Sequence, residues 1–499
     1  MLTDTIKAFK EYQKKMAAYH YAAGVMYVDG TTAAPASSYK ARGAALKELS
    51  GISYQLSVSQ ELRDMLKELM EHKDELDFVT MREAEEMTES LERMSKIPQE
   101  EFVAYSVLTS ESEHIWAKAK NTNDYAAFRP YLEKIIETKR RFSGYTDPGV
   151  PVMDALLDHY EKGLNTKILD EYFANVKEKL VPIILAIGKK GQKPEYPFMH
   201  AYYPIEKQRE FSQFLMDVLT IDKERCQMAE TEHPYTSGLN LDDVRLTTHF
   251  YEDSFTNNMF TMIHEGGHAI YELGSDRSLA DSSLAGGAAM SIHESQSRFF
   301  ENMIGRSKEF CEFVFPKLCE LFPEQLSGYT ANDLYLAVNR AEPSLIRIEA
   351  DELTYSLHIM VRYELEKQLI EGSLSTYDLP EAWNAKMKEY LGVDVPDDAH
   401  GVLQDVHWGG GMIGYFPSYS LGSAYAAQMY ACMEKDIDVS SSVRKGDLKP
   451  SVDWLGERIH KHGQLYKPGE IIEKACGGEF DPKFYCDYLA KKYSEIYEL

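Results

Sequence analysis

The 499-residue chain has no Cys-x-x-Cys pair. Its six cysteines, Cys226, Cys311, Cys319, Cys432, Cys476 and Cys486, are scattered. A chain this long needs no covalent staples, so the pattern points to reduced thiols and argues against a sulfur-ligated zinc site. Positive charge is also scarce: 54 Lys and Arg stand against 80 Asp and Glu, a formal net charge of −26. That balance speaks against nucleic acid or an anionic membrane as the main partner. No apolar run approaches the ~18 residues of a membrane span, and the start, Met1 to Lys7, lacks the basic-then-apolar layout of a signal peptide. A soluble, cytoplasmic protein is expected. Internal repeats and low-complexity linkers are missing as well. The length allows two to four average domains or one large one.

What the sequence does contain is centred on Asp253 to Gly274, where His264, Glu265, Gly266, Gly267 and His268 spell H-E-x-x-H. Phe255, Met259, Met262, Gly266, Ile270 and Leu273 recur at steps of three and four, the apolar stripe of a helix, while His264 and His268 fall one turn apart on the opposite face. Zinc accepts two imidazoles so spaced, at about 2.0–2.1 Å each. Glu265 is placed to take a proton from a water activated there and to return it to a leaving amine. Two adjacent glycines in a helix cost about 1 kcal/mol each relative to Ala, so close approach of substrate or backbone near Gly267 is expected. A helix carrying two histidines by chance is the competing reading, and a third ligand at a suitable distance weakens it.

Residues 4 to 142 read as a succession of helices, with the charge run Glu61 to Glu101 as a solvated face. A loop follows at Tyr145 to Pro151, then helix from Met153 to Gly188 and a breaker cluster from Gly188 to Pro197. His233-Pro234-Tyr235 and Ser237-Gly238 are turn chemistry, and Val244 to Phe250 reads as a strand. Asp243, Arg245 and Thr247 alternate, so they share one face, either along the cleft or as a solvated edge. After Gly286-Gly287 a helix is expected from about Ala288 to Ile304. Its apolar stripe is Ile292, Phe299 and Met303, and Glu294 lies opposite. An open catalytic site takes three protein ligands and a water, which makes Glu294 the third ligand. Pro343 to Gln368 reads as a helix on which Arg347 and Asp351 pair at i,i+4. The segment from Gly401 through His407 and Trp408 to Gly411 is more loop-like than core-like, and Ser420 to Leu499 returns to helices.

Several segments together resemble the carboxypeptidase Taq family of metallocarboxypeptidases, relatives of neurolysin and angiotensin-converting enzyme. Besides H-E-x-x-H, the chain shows D-x-R-x-T as Asp243, Arg245 and Thr247, and H-E-S/G-Q as His293, Glu294, Ser295 and Gln296. It also shows I-R-x-x-A-D as Ile346, Arg347, Ala350 and Asp351, and G-x-x-Q-D-x-H-W as Gly401, Gln404, Asp405, His407 and Trp408. Tyr235 stands where the family usually has Phe, and Met26 to Pro35 lacks the family's tryptophan. The resemblance implies an almost wholly α-helical fold with a small sheet beside the metal helix and a groove between two lobes. It also implies a homodimer and a metal-dependent carboxypeptidase of broad specificity. The chain is then one peptidase domain, 1–499, with an N-terminal helical lid of about 1–145, a catalytic core of about 200–430 and C-terminal helices 431–499.

On this reading His264, His268 and Glu294 hold one divalent ion, zinc first and cobalt or manganese as alternatives, and Glu265 is the general base. His407 and Tyr419 are the donors to the tetrahedral oxyanion, with Tyr415 as second choice for the phenol. Arg347 and Arg245 are candidates for the substrate's terminal carboxylate, and His233 is a further substrate contact. The residues alone reach a zinc-type hydrolase and leave exo- and endopeptidase open. An endo-acting oligopeptidase is the nearest alternative, and a helical binding protein with a structural metal is the alternative of another class.

Overall fold

The computed structural model describes residues 2–190 and 195–499. Among them are twenty α-helices and one three-stranded sheet, so the expected mostly helical fold is the one observed. Many helix starts are set by short polar side chains that accept an otherwise unpaired backbone N–H. Ser59 does this for Gln60–Glu71, Asp124 for Tyr125–Thr146 and Ser254 for Phe255–Leu273.

Apolar side chains collect in two clusters. The smaller, around Phe9, Tyr12, Leu62, Leu66 and Leu69, joins the helices Leu2–Thr32, Gln60–Glu71 and Phe78–Ser95. The larger takes in most of the remaining elements, including the helices Gln99–Thr122 and Tyr125–Thr146. Helix Tyr39–Ser57 buries none of its residues.

Several elements depart from the periodic reading. Met153 to Gly188 is two helices, Val152–Tyr160 and Thr166–Lys190. Between them Gly163 takes a positive φ of 88°, and Glu161 turns inward to accept from the backbone N–H of Ser291 at 3.3 Å. The breaker cluster Gly188 to Pro197 falls partly outside the described residues. Strand β1 (Cys226–Glu230) pairs in parallel with β3 (Asp243–Thr248), and β2 (Thr236–Asn240) lies antiparallel on the other side of β3. Ser237 and Gly238 are therefore strand, not turn. A Cβ on Gly238 would meet the Glu272 carboxylate of the helix below, so the glycine leaves that side chain room under the strand. The helix Met290–Arg298 loosens into a π-helical turn, Phe299–Gly305.

The largest departure is at Pro343 to Gln368. Only Tyr355–Glu371 is α-helix, preceded by a single 3-10 turn, Arg347–Glu349. Arg347 and Asp351 consequently do not pair. Asp351 instead accepts the backbone N–H groups of Glu342, Leu353 and Thr354 at 2.9–3.0 Å. The 401–411 segment is irregular as expected, yet Val402, Leu403 and Trp408 within it are buried.

Candidate active site

The helix Phe255–Leu273 buries the predicted stripe, with Phe255, Met259, Met262 and Ile270 against the core. Its other face carries the two imidazoles, whose ring centroids are 5.0 Å apart. The helix Met290–Arg298 runs so close that a Cβ on Gly267 would sit 2.6 Å from the Gln296 carbonyl. The adjacent glycines are thus explained by helix-to-helix contact: Gly267 admits Met290–Arg298, and Gly266 admits the Leu219 side chain. On the far side Gly422 lets Pro417–Met433 press against the Glu294 side chain, where a Cβ would come within 2.6 Å.

This packing brings Glu294 Oε2 to 3.7 Å from His264 Nε2 and 3.6 Å from His268 Nε2, and the three ligand atoms lie within 4.8 Å of one another. A tetrahedral ion with bonds of about 2.0–2.1 Å separates its ligand atoms by about 3.3 Å, so the trio fits a divalent metal with slight closure. The remaining ring nitrogens are committed elsewhere. His264 Nδ1 lies 2.8 Å from the Glu301 carboxylate. His293 bridges Glu272, 2.6 Å from its Nε2, and His268 Nδ1, 2.6 Å from its Nδ1. With Glu272 and Glu301 accepting, each ligand imidazole carries its proton on Nδ1 and turns the Nε2 lone pair towards Glu294. Arg298 donates to Glu294 at 2.7 Å and to Glu301 at 3.1 Å. Against the cost of burial, Arg298 and His264 hold the Glu301 carboxyl well below the usual range.

Glu265 is buried beside the trio, and Thr236 of β2 donates to its carboxylate at 2.7 Å. Burial pushes the Glu265 carboxyl above its ordinary range, opposed by His264 and the Thr236 hydroxyl. A raised pKa suits a group that must both take and return a proton near neutral pH. These residues open on a cavity of about 490 Å³ lined also by Tyr235, Met290, Tyr415 and Tyr419.

Tyr415 and Tyr419 line the same cavity, and the His407 ring packs against both. His407 Nε2 is 3.4 Å from the Tyr419 hydroxyl, and its buried Nδ1 has no partner among the described residues. Burial lowers His407 to about 4, so it is neutral at pH 7 and offers an N–H. Arg347 reaches this corner from the 3-10 turn. It donates to Asp405 through Nε and Nη2, at 3.1 and 2.8 Å, and to the Tyr355 hydroxyl through Nη1 at 3.1 Å, and it lies over the Tyr419 ring.

Arg245 and His233 are not brought to the pocket. Arg245 is paired with Asp243 and donates to Gln227 at 2.8 Å, while Asp243 also accepts from Tyr21 at 2.8 Å. Thr247 fixes the backbone of Tyr235, accepting its N–H at 2.7 Å and donating to its carbonyl at 2.8 Å. The D-x-R-x-T face therefore anchors the first helix and the start of β2, and it is Thr236 that meets the cleft. His233 is exposed just before that strand. Sequence reasoning missed Thr236, Glu272, Glu301, Arg298 and Tyr355. Three of these left a local signal: Glu272 lies four residues beyond His268, Arg298 four beyond Glu294, and Glu301 two helical turns beyond Glu294.

Two histidines and a carboxylate on adjoining helices, with a second carboxylate buried beside them, define a metal-dependent hydrolase centre in a mostly helical protein. The model of the carboxypeptidase Taq (M32) metallopeptidases matches residues 8–493, and the chain belongs to that family. It is 40% identical to carboxypeptidase 1 of Bacillus subtilis over 494 residues, 99% of each chain. It is 34% identical to thermostable carboxypeptidase 1 of Pyrococcus furiosus over 495 residues, 98% of each. The crystal structure of the M32 carboxypeptidase from Deinococcus radiodurans superposes with a TM-score of 0.95 at 32% identity, covering 99% of this chain and 100% of that one. The protein is accordingly a metal-dependent carboxypeptidase, a peptide hydrolase.

Proposed function

We propose that His264, His268 and Glu294 hold a single zinc ion and that the enzyme removes C-terminal residues from peptides with broad side-chain tolerance. The observation that carries this reading is the convergence of His264 Nε2, His268 Nε2 and Glu294 Oε2 within 4.8 Å, with the Glu265 carboxylate buried alongside. A bound divalent ion supplies Lewis acidity, which brings the pKa of a coordinated water to about 7. Glu265, its carboxylate kept in place by Thr236, would take a proton from the attacking water and deliver it to the departing amine. The Tyr419 hydroxyl, with His407 Nε2 3.4 Å behind it, donates to the oxygen that gains charge, and Tyr415 is the second phenol. Such donors are each worth about 2.7–4 kcal/mol.

Arg347 is the better candidate for the substrate's terminal carboxylate, because it adjoins Tyr419 and Tyr355, whereas Arg245 and His233 lie outside the pocket. Asp405 engages Nε and Nη2 of Arg347, so the incoming carboxylate shares the guanidinium with it or displaces Tyr355 from Nη1. We further propose one peptidase domain over 1–499, its N-terminal helices up to about residue 145 serving as lid, its core at about 200–430 and C-terminal helices at 431–499. A cytoplasmic location fits the six unpaired cysteines. A homodimer fits the helix Tyr39–Ser57, which buries no residue although it carries Leu46, Leu49 and Ile52.

The decisive experiment is product analysis on one peptide with free and amidated C-termini, with and without chelator, and with zinc, cobalt or manganese restored. Stepwise release of single C-terminal residues from the free acid alone, lost with chelator and best restored by zinc, is expected. Internal fragments, or equal cleavage of the amide, would overturn the exopeptidase reading.

A further inference from the structure

A second cavity, of about 480 Å³, lies among the helices Phe78–Ser95, Gln99–Thr122, Tyr125–Thr146 and Val152–Tyr160. That volume is within the range of small-molecule sites, about 300–1,000 Å³. Its wall is apolar, from Ile97, Phe102, Phe142 and Leu156, and its rim is charged. At the rim the acids are all accounted for. Glu86 pairs with Arg82 at 2.8 Å, Glu89 with Arg93 and Lys162, and Asp147 with Arg93 at 3.9 Å. Burial and the neighbouring Arg93 depress His159, so it is neutral at pH 7.

One polar group in the cavity is left over. Lys139 has no carboxylate within ion-pair distance among the described residues. Its ammonium rests over the Tyr105 ring, 5.5 Å from the centroid, and burial lowers it to about 8. The Tyr105 hydroxyl is itself buried against Gly411, so Tyr105 meets the cavity through its ring. An ammonium half-buried without a counter-charge is costly unless something compensates it, and here the side chains that could do so are already engaged by other cations.

We propose that this cavity is a second ligand site, for a carboxylate carried on a compact apolar body, with Lys139 gripping the carboxylate and the Tyr105 ring, Phe102, Phe142 and Leu156 enclosing the tail. A phosphate is disfavoured because one free cation would face a double charge, with Glu86, Glu89 and Asp147 nearby. The site backs onto the catalytic pocket. Tyr105 packs on Gly411 so closely that no Cβ fits there, and a Cβ on Gly414 would meet the Leu156 backbone at 3.2 Å. The loop held between these contacts leads from His407 to Tyr415, so a ligand that moves Tyr105 or Leu156 reaches the catalytic donors from behind.

The test is calorimetric titration of the metal-loaded full chain with octanoate and with octanol, combined with peptidase kinetics at saturating octanoate. Octanoate is expected to bind at least tenfold more tightly than octanol, and Lys139→Met to erase that preference while leaving turnover without octanoate within about twofold. The KM for peptide is expected not to rise in proportion to octanoate. Equal affinity for octanoate and octanol on the unaltered enzyme overturns the proposal without any variant having to fold. So does octanoate affinity unchanged by Lys139→Met, or purely competitive inhibition, which would locate the carboxylate in the catalytic pocket. None of these results bears on the peptidase reading, which the same preparation reports through its turnover.

Discussion

On one side of the catalytic pocket the His pair and Glu294 sit on consecutive helices, and their partners Glu272, Glu301 and Arg298 come from those helices or the π turn that continues them. On the other side His407 lies in an irregular run, with Tyr415 at its end and Tyr419 in the first turn of the following helix, and that run is tied down from outside. Asp405 is held between Arg347 and Arg362, and Glu366 accepts from Trp408 Nε1 at 2.7 Å and from the Gly414 backbone at 2.9 Å. Both Arg362 and Glu366 belong to the helix Tyr355–Glu371. The metal wall is therefore stabilised by its own secondary structure, and the donor wall by a neighbour's buried polar side chains. Damage should differ accordingly: changes on the metal wall alter chemistry and metal affinity in a protein that still folds, and changes behind the donor wall cost stability first.

The sharpest form of that contrast is Glu265→Gln. Loss of the general base should lower kcat by about 10²–10⁴-fold, with metal content and melting temperature close to the parent enzyme. Turnover near the parent value in the metal-loaded variant would remove Glu265 from the reaction. Behind the other wall, Asp405→Ala strands the fully buried Arg362 together with Arg347. Removing one partner of a buried pair costs about 3–5 kcal/mol, to be read from denaturant midpoints. A variant as stable as the parent would break the comparison. Returning to the metal wall, Glu272→Gln weakens the hydrogen bond that orients His293 and through it His268. A change of this kind lowers metal affinity by about 10–100-fold, measurable by equilibrium dialysis against a competing chelator, with little change in unfolding.

The same asymmetry decides what could be read from the sequence. His264, His268 and Glu294 were legible because their relation is helical: four residues apart in one case, one helix and a loop further on in the other. Gly267 was legible as a close approach, though its partner, the backbone at Gln296 and Ser297, was not. Arg347 was misplaced by the same reasoning. Four-residue spacing suggested Asp351, but that segment is not α-helical, and the true partner Asp405 lies 58 residues away. Nothing local marks such a pair, nor Thr236 against Glu265, 29 residues apart. The sheet was half visible. Strand β3 alternates, whereas β2 is short, carries Gly238 and reads as turn chemistry until the helix beneath it is known.

The smallest effect expected near pH 5 belongs to Glu366→Gln, and its interest lies in how it changes with pH. Glu366 is fully buried, and burial raises its carboxyl to about 8 against the pull of Gly414, Trp408 and Arg362. In the unfolded chain the same group ionises near its ordinary value of about 4.3. Between those two values the unfolded state has released the proton and the folded state still holds it, so stability falls as pH rises through that window and levels off above about 8. Glutamine carries no such proton. At pH 5 the variant should be the weaker by about 1 kcal/mol, since its amide can accept from only one of the two N–H donors. By pH 8 the parent has lost stability on the order of a few kcal/mol from this group, so the difference should shrink and reverse. Other buried carboxyls, such as Glu161, raised to about 7 by its own burial, titrate in both proteins and cancel in the comparison. Urea unfolding of the two proteins at pH 5 and pH 8 reads the difference directly. A gap independent of pH would mean that Glu366 is ionised in the folded enzyme, and that the donor wall is held by a charge on this residue rather than by a neutral carboxyl.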